Sequence, residues 1–264
     1  MNGRDIIKKI SLLMLMFGAL LILLNLLGYV VAPNVLDEKF SQQPKQDGIP
    51  GYAFQTHDTS LLIDMLEKPM AKFDLEKVNN EIFGAIVHTD RRRIQPYENW
   101  LLWLAGKMYK PLARTQSPAR IVSGEGAFCS EVAAVMNHVA TLNGYQARFI
   151  ELNGHVVSEV LTETGWRVAD ADYGVTYPVG IKVLEGEEGS RLIRQALLSR
   201  GYNEDNIVGY TKLVQSPEDN EILSVGMAMS PRLYLVETTT EVLKWIIPLL
   251  AIILGVIGIK RHRS

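Results

Sequence analysis

The sequence predicts an α+β domain held between two membrane-spanning helices. Three observations predict it: an apolar run near each end of the 264-residue chain, a long apolar-periodic helix near the middle, and three short strands directly after that helix. Helices followed by an antiparallel meander describe an α+β arrangement rather than an alternating parallel sheet.

The first apolar run covers residues 10–31, with Asn25 its one strongly polar member and Arg4, Lys8 and Lys9 ahead of it. As a helix it rises about 33 Å, enough to cross a hydrocarbon core roughly 30 Å thick. A cleaved signal peptide has a shorter apolar stretch followed by a small-residue cleavage site. Here the run leads into Ala32-Pro33-Asn34, a poor cleavage motif, so a retained anchor is expected. The second run, 242–259, is near the minimum length for a span. Lys244 lies close to one end of it, where its side chain can snorkel, and Trp245 suits an interfacial position. The tail Lys260-Arg261-His262-Arg263 is a basic flank directly after the run.

Both outer flanks are basic, whereas the inner flanks carry Asp37, Glu38 and Lys39 at one end and Glu237 and Glu241 at the other. The positive-inside rule then places both termini in the cytoplasm. The expected organisation is a cytoplasmic tip and first span over 1–31, a linker over 32–58, an extracytoplasmic domain over 59–235, and a second span with its basic tail over 236–264. In a bacterium this is a two-span protein of the inner membrane, with its domain in the periplasm or on the outer face.

Ahead of the domain, 33–58 reads as an irregular linker, with Pro33, Pro44, Gly48, Pro50 and Gly51. Leu61, Leu62, Met65 and Leu66 indicate a short helix stopped by Pro69. A second helix is expected over 75–89, with Val78, Ile82 and Ile86 on one face. A third starts at Pro96, a good first-turn residue, and carries Trp100, Leu101, Leu104 and Met108; Trp100 and Trp103 read as its core contacts. After the turn-rich Ser123-Gly124-Glu125-Gly126, the positions Val132, Val135, Met136, Val139 and Leu142 mark a buried helix over 128–142, closed by Asn143-Gly144. Strands follow over 146–152, 155–162 and 166–173, separated by Asn153-Gly154 and Glu163-Thr164-Gly165, both of hairpin chemistry. Beyond Gly180 a helical pattern returns with Leu192, Ile193, Ala196 and Leu197. The chain then reads as irregular until Pro231, from where one helix runs into the second span.

About 200 residues between the runs suffice for one domain with its own core. The net charge of −2 gives no reason to invoke nucleic acid, and the one basic triplet, Arg91-Arg92-Arg93, reads as a solvated helix end. No cofactor is implied. No Cys-x-x-Cys or His-x-x-x-His spacing occurs, and His138 lies nine positions after Cys129 on the opposite helix face, so no metal site is expected. His57, His88 and His262 have no partner pattern and read as surface residues.

A single cysteine excludes an internal disulfide, and an unpaired thiol in an oxidising compartment must be buried or used. Cys129 falls at the start of the buried helix, where unsatisfied N–H groups and the helix dipole favour a thiolate and can hold an oxyanion. Glu125 and Glu131 flank it. His155 opens the second strand directly after its turn. Asp170 lies on the third strand, sharing a face with Val168 and Asp172 by period-two alternation. Pairing of the last two strands as a hairpin brings His155 close to Asp170 or its neighbour. A thiol, an imidazole and a carboxylate so arranged form a nucleophilic triad.

Four blocks in this region resemble the transglutaminase-like superfamily of papain-fold cysteine enzymes: Gly126-Ala127-Phe128-Cys129-Ser130-Glu131, Gly144-Tyr145-Gln146-Ala147-Arg148, His155-Val156-Val157-Ser158-Glu159-Val160 and Gly165-Trp166-Arg167-Val168-Ala169-Asp170. They follow the family's order at similar intervals and cover residues 123–176. The resemblance implies a core helix carrying the nucleophile on an antiparallel sheet, with Cys129 as nucleophile, His155 as general base and Asp170 as its orienting acid. Val157 departs from the family, which often has an aromatic residue there. Asp172 is a second acid on the same face, with the spacing from Trp166 favouring Asp170. No motif places the family's side-chain oxyanion donor; Gln116 and Asn99 are the upstream candidates.

The resemblance implies acyl transfer from amide bonds of proteins or peptides in the cell envelope. Members that lose catalysis persist as binding modules. The rival expectation is therefore an assembly factor docked to a membrane-protein partner, with Asn25 as an interhelical hydrogen-bonding group.

Overall fold

A computed structural model describes residues 3–41, 59–88, 93–124, 126–218 and 220–261. In chain order the elements are α1 (Gly3–Ser41), α2 (Ser60–Glu67), α3 (Leu75–Ala85), β1 (Val87–His88), α4 (Pro96–Met108) with a 3-10 turn (Lys110–Ala113), α5 (Pro118–Ser123), β2 (Gly126–Ala127), α6 (Cys129–Leu142), β3 (Gln146–Leu152), β4 (His155–Thr162), β5 (Gly165–Asp170), β6 (Val175–Thr176), α7 (Ile181–Leu184), α8 (Glu187–Ser199), α9 (Glu204–Val214), β7 (Asn220–Val225) and α10 (Pro231–Arg261). They form two units. A helical unit contains Met1–Leu36, Arg93–Arg114 and Arg232–Ser264; an α+β unit contains Asp37–Arg92 and Thr115–Pro231.

Turn chemistry fixes the register of the α+β unit. Asn153 and Gly154 both take positive φ, 47° and 91°, as a two-residue type I′ hairpin turn requires. Leu152 therefore faces His155, and β3 pairs with β4 without a slip to Gln146 opposite Leu161. A second two-residue turn sets Thr162 opposite Gly165 and pairs β4 with β5. β6 and β7 complete a five-stranded antiparallel sheet in the order β6-β5-β4-β3-β7.

Alternation along the strands sends Phe149 and Val160 to one face and Ile150, Val157 and Val168 to the other. The first face buries α6 together with α2, α3 and α5, through Val78, Ile82, Val122, Val135 and Met136. The second face buries α7, α8 and α9, through Leu184, Ile193, Ile207 and Tyr210. Glu159, 1% exposed, ties the layers together. It accepts from Arg148 Nε at 2.6 Å and from the Ile181 N–H at 2.7 Å, while the Arg148 guanidinium stacks on Trp166 at 4.0 Å.

The expected α3 ends at Ala85, four residues short, because Val87 and His88 leave as β1 to pair in parallel with β2, the strand that feeds α6. The region past Gly201, expected to be irregular, contains α9 and β7. The expected linker at 32–58 begins later, since α1 stays helical past Pro33 to Ser41 through the good helix formers Leu36, Glu38 and Lys39. Residues 42–58, with His57, lie outside the described residues, as do Arg91, Arg92, Glu125 and the tail from His262.

In the helical unit, α1 and α10 are both long and apolar enough to cross a membrane, with mean hydropathies of 2.6 and 2.5 over their most apolar windows. Leu13, Leu20 and Leu23 of α1 and Leu250, Ile253 and Leu254 of α10 are each more than half exposed, which suits lipid-facing helices rather than buried core helices. The two pack through small residues: a Cβ at Gly18 would meet the Pro248 carbonyl, and one at Gly255 the Ser11 carbonyl.

Pro248 lacks an N–H, so the Lys244 carbonyl one turn earlier has no helical donor. Asn25 supplies one, its Nδ2 donating to that carbonyl at 2.7 Å. Lys244 itself does not snorkel. The residue is 5% exposed, its ammonium paired with Glu241 at 2.8 Å and donating to the Glu98 carbonyl at 2.7 Å.

Asn25→Ala is expected to weaken α1–α10 association by about 1 kcal/mol. Pro248→Ala, which restores the backbone donor, should shrink that effect. A double-mutant cycle of unfolding in detergent micelles measures the coupling, and strictly additive effects would contradict this account.

Candidate active site

The site lies at one end of the sheet, within the α+β unit. Cys129 is the first residue of α6, entered from β2 through Phe128, whose backbone is extended. Glu131 reaches back to accept from the Phe128 N–H at 2.8 Å, in the manner of a capping box. The first-turn amides of Cys129 and Ser130 have no intrahelical acceptor and point the positive end of the helix dipole at the thiol. On β4 the Ser158 hydroxyl donates to the Ala133 carbonyl of α6 at 3.1 Å, pinning the helix to the strand that begins with His155.

His155 Nε2–H donates to Asp170 Oδ2 at 2.7 Å, and the Cys129 thiol lies near enough to the ring to act on its charge. The structure therefore brings together all three residues that the sequence singles out. Cys129, His155 and Asp170 are 4%, 7% and 1% exposed. In so dry a setting their mutual electrostatics are poorly screened. Burial by itself pushes the imidazole down. Asp170, aided by the bonds to Asp170 and Cys129 and by the charge of Asp172, holds it well above the ordinary histidine value.

Two acids compete for the role at His155, and the backbone decides between them. Asp170 Oδ1 accepts the N–H groups of Asp172 at 3.0 Å and Tyr173 at 3.1 Å, an Asx-type turn that ends β5 at Asp170. Asp172 consequently lies beyond the strand, with its carboxylate 4.0 Å from His155 Nδ1.

Tyr210, which the sequence does not single out, donates its hydroxyl to Asp170 Oδ2 at 2.9 Å. Burial, with Asp170, pushes this phenol well up, so it remains a donor. The Tyr173 ring lies edge-on to His155 at 5.4 Å, and burial with Asp170 and Asp172 pushes its hydroxyl up to about 12. The Asn203 cap of α9, which accepts from the Asn206 N–H, and the first-turn acids Glu204 and Asp205 were the available signals for the helix that carries Tyr210.

The two upstream oxyanion candidates differ. Asn99 belongs to the helical unit, and its amide is fully engaged: Nδ2 donates to Thr240 and Glu241, and Oδ1 accepts from the Leu102 N–H. That engagement excludes it as an oxyanion donor. Gln116 stands half-buried in the segment before α5. His138 faces away from the site, with Nε2 3.2 Å from the Leu66 carbonyl, and no group of metal-ligating side chains exists among the described residues. A surface cleft of about 590 Å³, lined by Phe73, Asn143, Tyr145 and Arg167, sits at the C-terminal end of α6, away from the thiol. No family model, no curated protein and no solved structure matches the chain.

Tyr210→Phe removes one donor from a buried carboxylate and is expected to destabilise the α+β unit by about 1.5–3 kcal/mol. Urea unfolding of the detergent-solubilised full chain measures this, and an unchanged midpoint would show that the phenol bond contributes nothing.

Proposed function

We propose that this chain is a membrane-anchored cysteine enzyme of transglutaminase-like type, transferring acyl groups from amide bonds on the extracytoplasmic side. The observation that carries the reading is a helix-N-terminal thiol beside an imidazole that is bonded to a buried carboxylate. Such an array performs acyl transfer on unrelated scaffolds.

In this scheme Cys129 reacts as its thiolate beside the protonated imidazole of His155, which Asp170 holds above its ordinary value. The thiolate attacks the amide carbonyl, and the first-turn amides of α6 hold the oxyanion. His155 passes its proton to the leaving amine as the C–N bond breaks, giving a thioester and a free amine. A second nucleophile then gives a proton to His155 and attacks the thioester, releasing Cys129. Water in that role makes the protein a peptidase, amidase or deamidase; an amine makes it a crosslinking transferase. Proteins or peptides of the cell envelope are the substrate class, and no cofactor enters the scheme.

The two apolar helices and their basic outer flanks support a two-span protein of a bacterial inner membrane with both termini in the cytoplasm. The rival reading is a catalytically inactive module docked into an envelope complex. Asn25, the interhelical hydrogen-bonding group in that reading, donates through Nδ2 to the Lys244 carbonyl of α10.

The only thiol in the chain serves both tests. Iodoacetamide should label Cys129 rapidly at neutral pH, and the rate should fall in His155→Ala. Labelling that follows an ordinary thiol and ignores the variant leaves the triad without chemistry. A membrane-impermeant maleimide applied to spheroplasts should reach Cys129 without detergent; labelling only after lysis would reverse the topology.

A further inference from the structure

The excursion 93–114 contains a stripe of side chains that neither the helical hairpin nor the proposed chemistry uses. The Ile94 N–H donates to the Ala113 carbonyl at 2.9 Å, closing the excursion on itself, and Gly106 is pressed against Ala113. α4 breaks at Asn99, whose φ and ψ are −156° and 94°. The residues around this break bind the ends of both apolar helices. Trp100 Nε1 donates to the Lys244 carbonyl at 3.4 Å, Glu98 accepts from the Lys244 ammonium, Asn99 donates to Glu241 at 2.6 Å, and the Tyr97 carbonyl lies against Gly28.

That level is where the apolar run of α10 begins and that of α1 ends. Tyr29 and Trp245 lie 6.3 Å apart there, the aromatic pairing of a membrane–water interface. α4 is thus fixed at the boundary between headgroups and hydrocarbon.

The remainder of α4 turns an unusual face outward. Leu104 is 55% exposed, Met108 90% and Tyr109 57%, with Trp103 beside them at 37%. Trp103 was expected to be a core residue, and the structure corrects this. Leu104 and Met108 are one turn apart on the same face, and the Lys107 ammonium sits over the Trp103 ring at 5.1 Å. Exposed Lys107 and Lys110 border the apolar positions. An apolar stripe with aromatic and lysine flanks is the composition of a helix lying in a membrane interface, lysines toward phosphates and apolar side chains toward acyl chains.

We propose that α4 is a third membrane contact: an interfacial helix resting on the lipid leaflet at this end of the α1–α10 pair, with Leu104, Met108 and the Trp103 ring inserted at the headgroup–acyl boundary. The occupant of the stripe is phospholipid, selected over a protein partner by its continuity with the aromatic level of the spans and by the lysines along its edge. The inference rests on α1 and α10 being spans and is independent of the enzyme reading.

The test uses the full chain with Cys129→Ser, reconstituted in nanodiscs of phosphatidylcholine and phosphatidylglycerol. Single cysteines are placed at Leu104 or Met108 and labelled with an environment-sensitive fluorophore. Leu20→Cys in α1 and Leu198→Cys on α8 are references for lipid and water. Labels at 104 and 108 should be blue-shifted relative to 198, quenched by lipids spin-labelled near the headgroup, and shielded from iodide. Iodide quenching at 104 and 108 equal to that at 198, with no lipid quenching, overturns the proposal while position 20 still reports lipid. Loss of lipid quenching at position 20 as well identifies failure of the span reading instead.

Discussion

A carboxylate removed from water must be met by donors or lose its charge. Asp170, 1% exposed, meets this demand with four: His155, Tyr210, and the N–H groups of Asp172 and Tyr173. These donors come from the start of β4, from α9, and from the turn after β5. Satisfying one buried charge therefore fixes the end of a strand, the seating of a helix and the orientation of an imidazole together. The two helical layers serve the site from opposite faces of the sheet, α6 delivering the thiol and α9 the phenol. Removing either partner of the His155–Asp170 pair leaves the other charge buried and uncompensated, which is more disruptive than the pair itself is stabilising.

The helical unit follows the same rule with neutral groups. Pro248 strips the Lys244 carbonyl of its backbone donor, and a buried carbonyl left without one is costly. Asn25, the polar exception in its apolar run, is the replacement. Lys244 shows the ionic version, its ammonium held by Glu241 and the Glu98 carbonyl. Residues that break a sequence pattern here, a proline in one apolar helix and an asparagine in the other, meet across the helix pair.

Much of the site was legible because its signals are local. The Asn153-Gly154 turn and the Glu163-Thr164-Gly165 turn bound β3 and β4 to the residue, and apolar periodicity marks α6 with Cys129 near its start. The choice between Asp170 and Asp172 was less secure, because alternation puts both on one face. What separates them is an Asx-type turn that uses one carboxylate oxygen of Asp170 to end the strand. Tyr210 was hidden for a different reason. It is a buried tyrosine in a helix of modest amphipathicity, and only long-range packing joins it to a residue forty positions earlier. Asn99 likewise looked available because polar side chains in a helix pattern carry no sign of their partner; Thr240 and Glu241 are distant in sequence. Trp103 read as core because hydropathy cannot separate a residue facing protein from one left outside it.

The closure of residues 93–114 by a single pair of neighbours, Ile94 and Ala113, bears on how separable the molecule is. Trimming both terminal helices leaves the 93–114 excursion behind with the α+β unit. Such a fragment retains α4 without Lys244, Glu241 and Gly28 to hold it, and with Leu104 and Met108 still outward, a recipe for self-association. The same closure offers the remedy, because the ends of the excursion already meet. A few polar residues joining Ile94 to Ala113 can replace the segment between them. The protein is modular, but its modules are interleaved along the sequence rather than laid end to end.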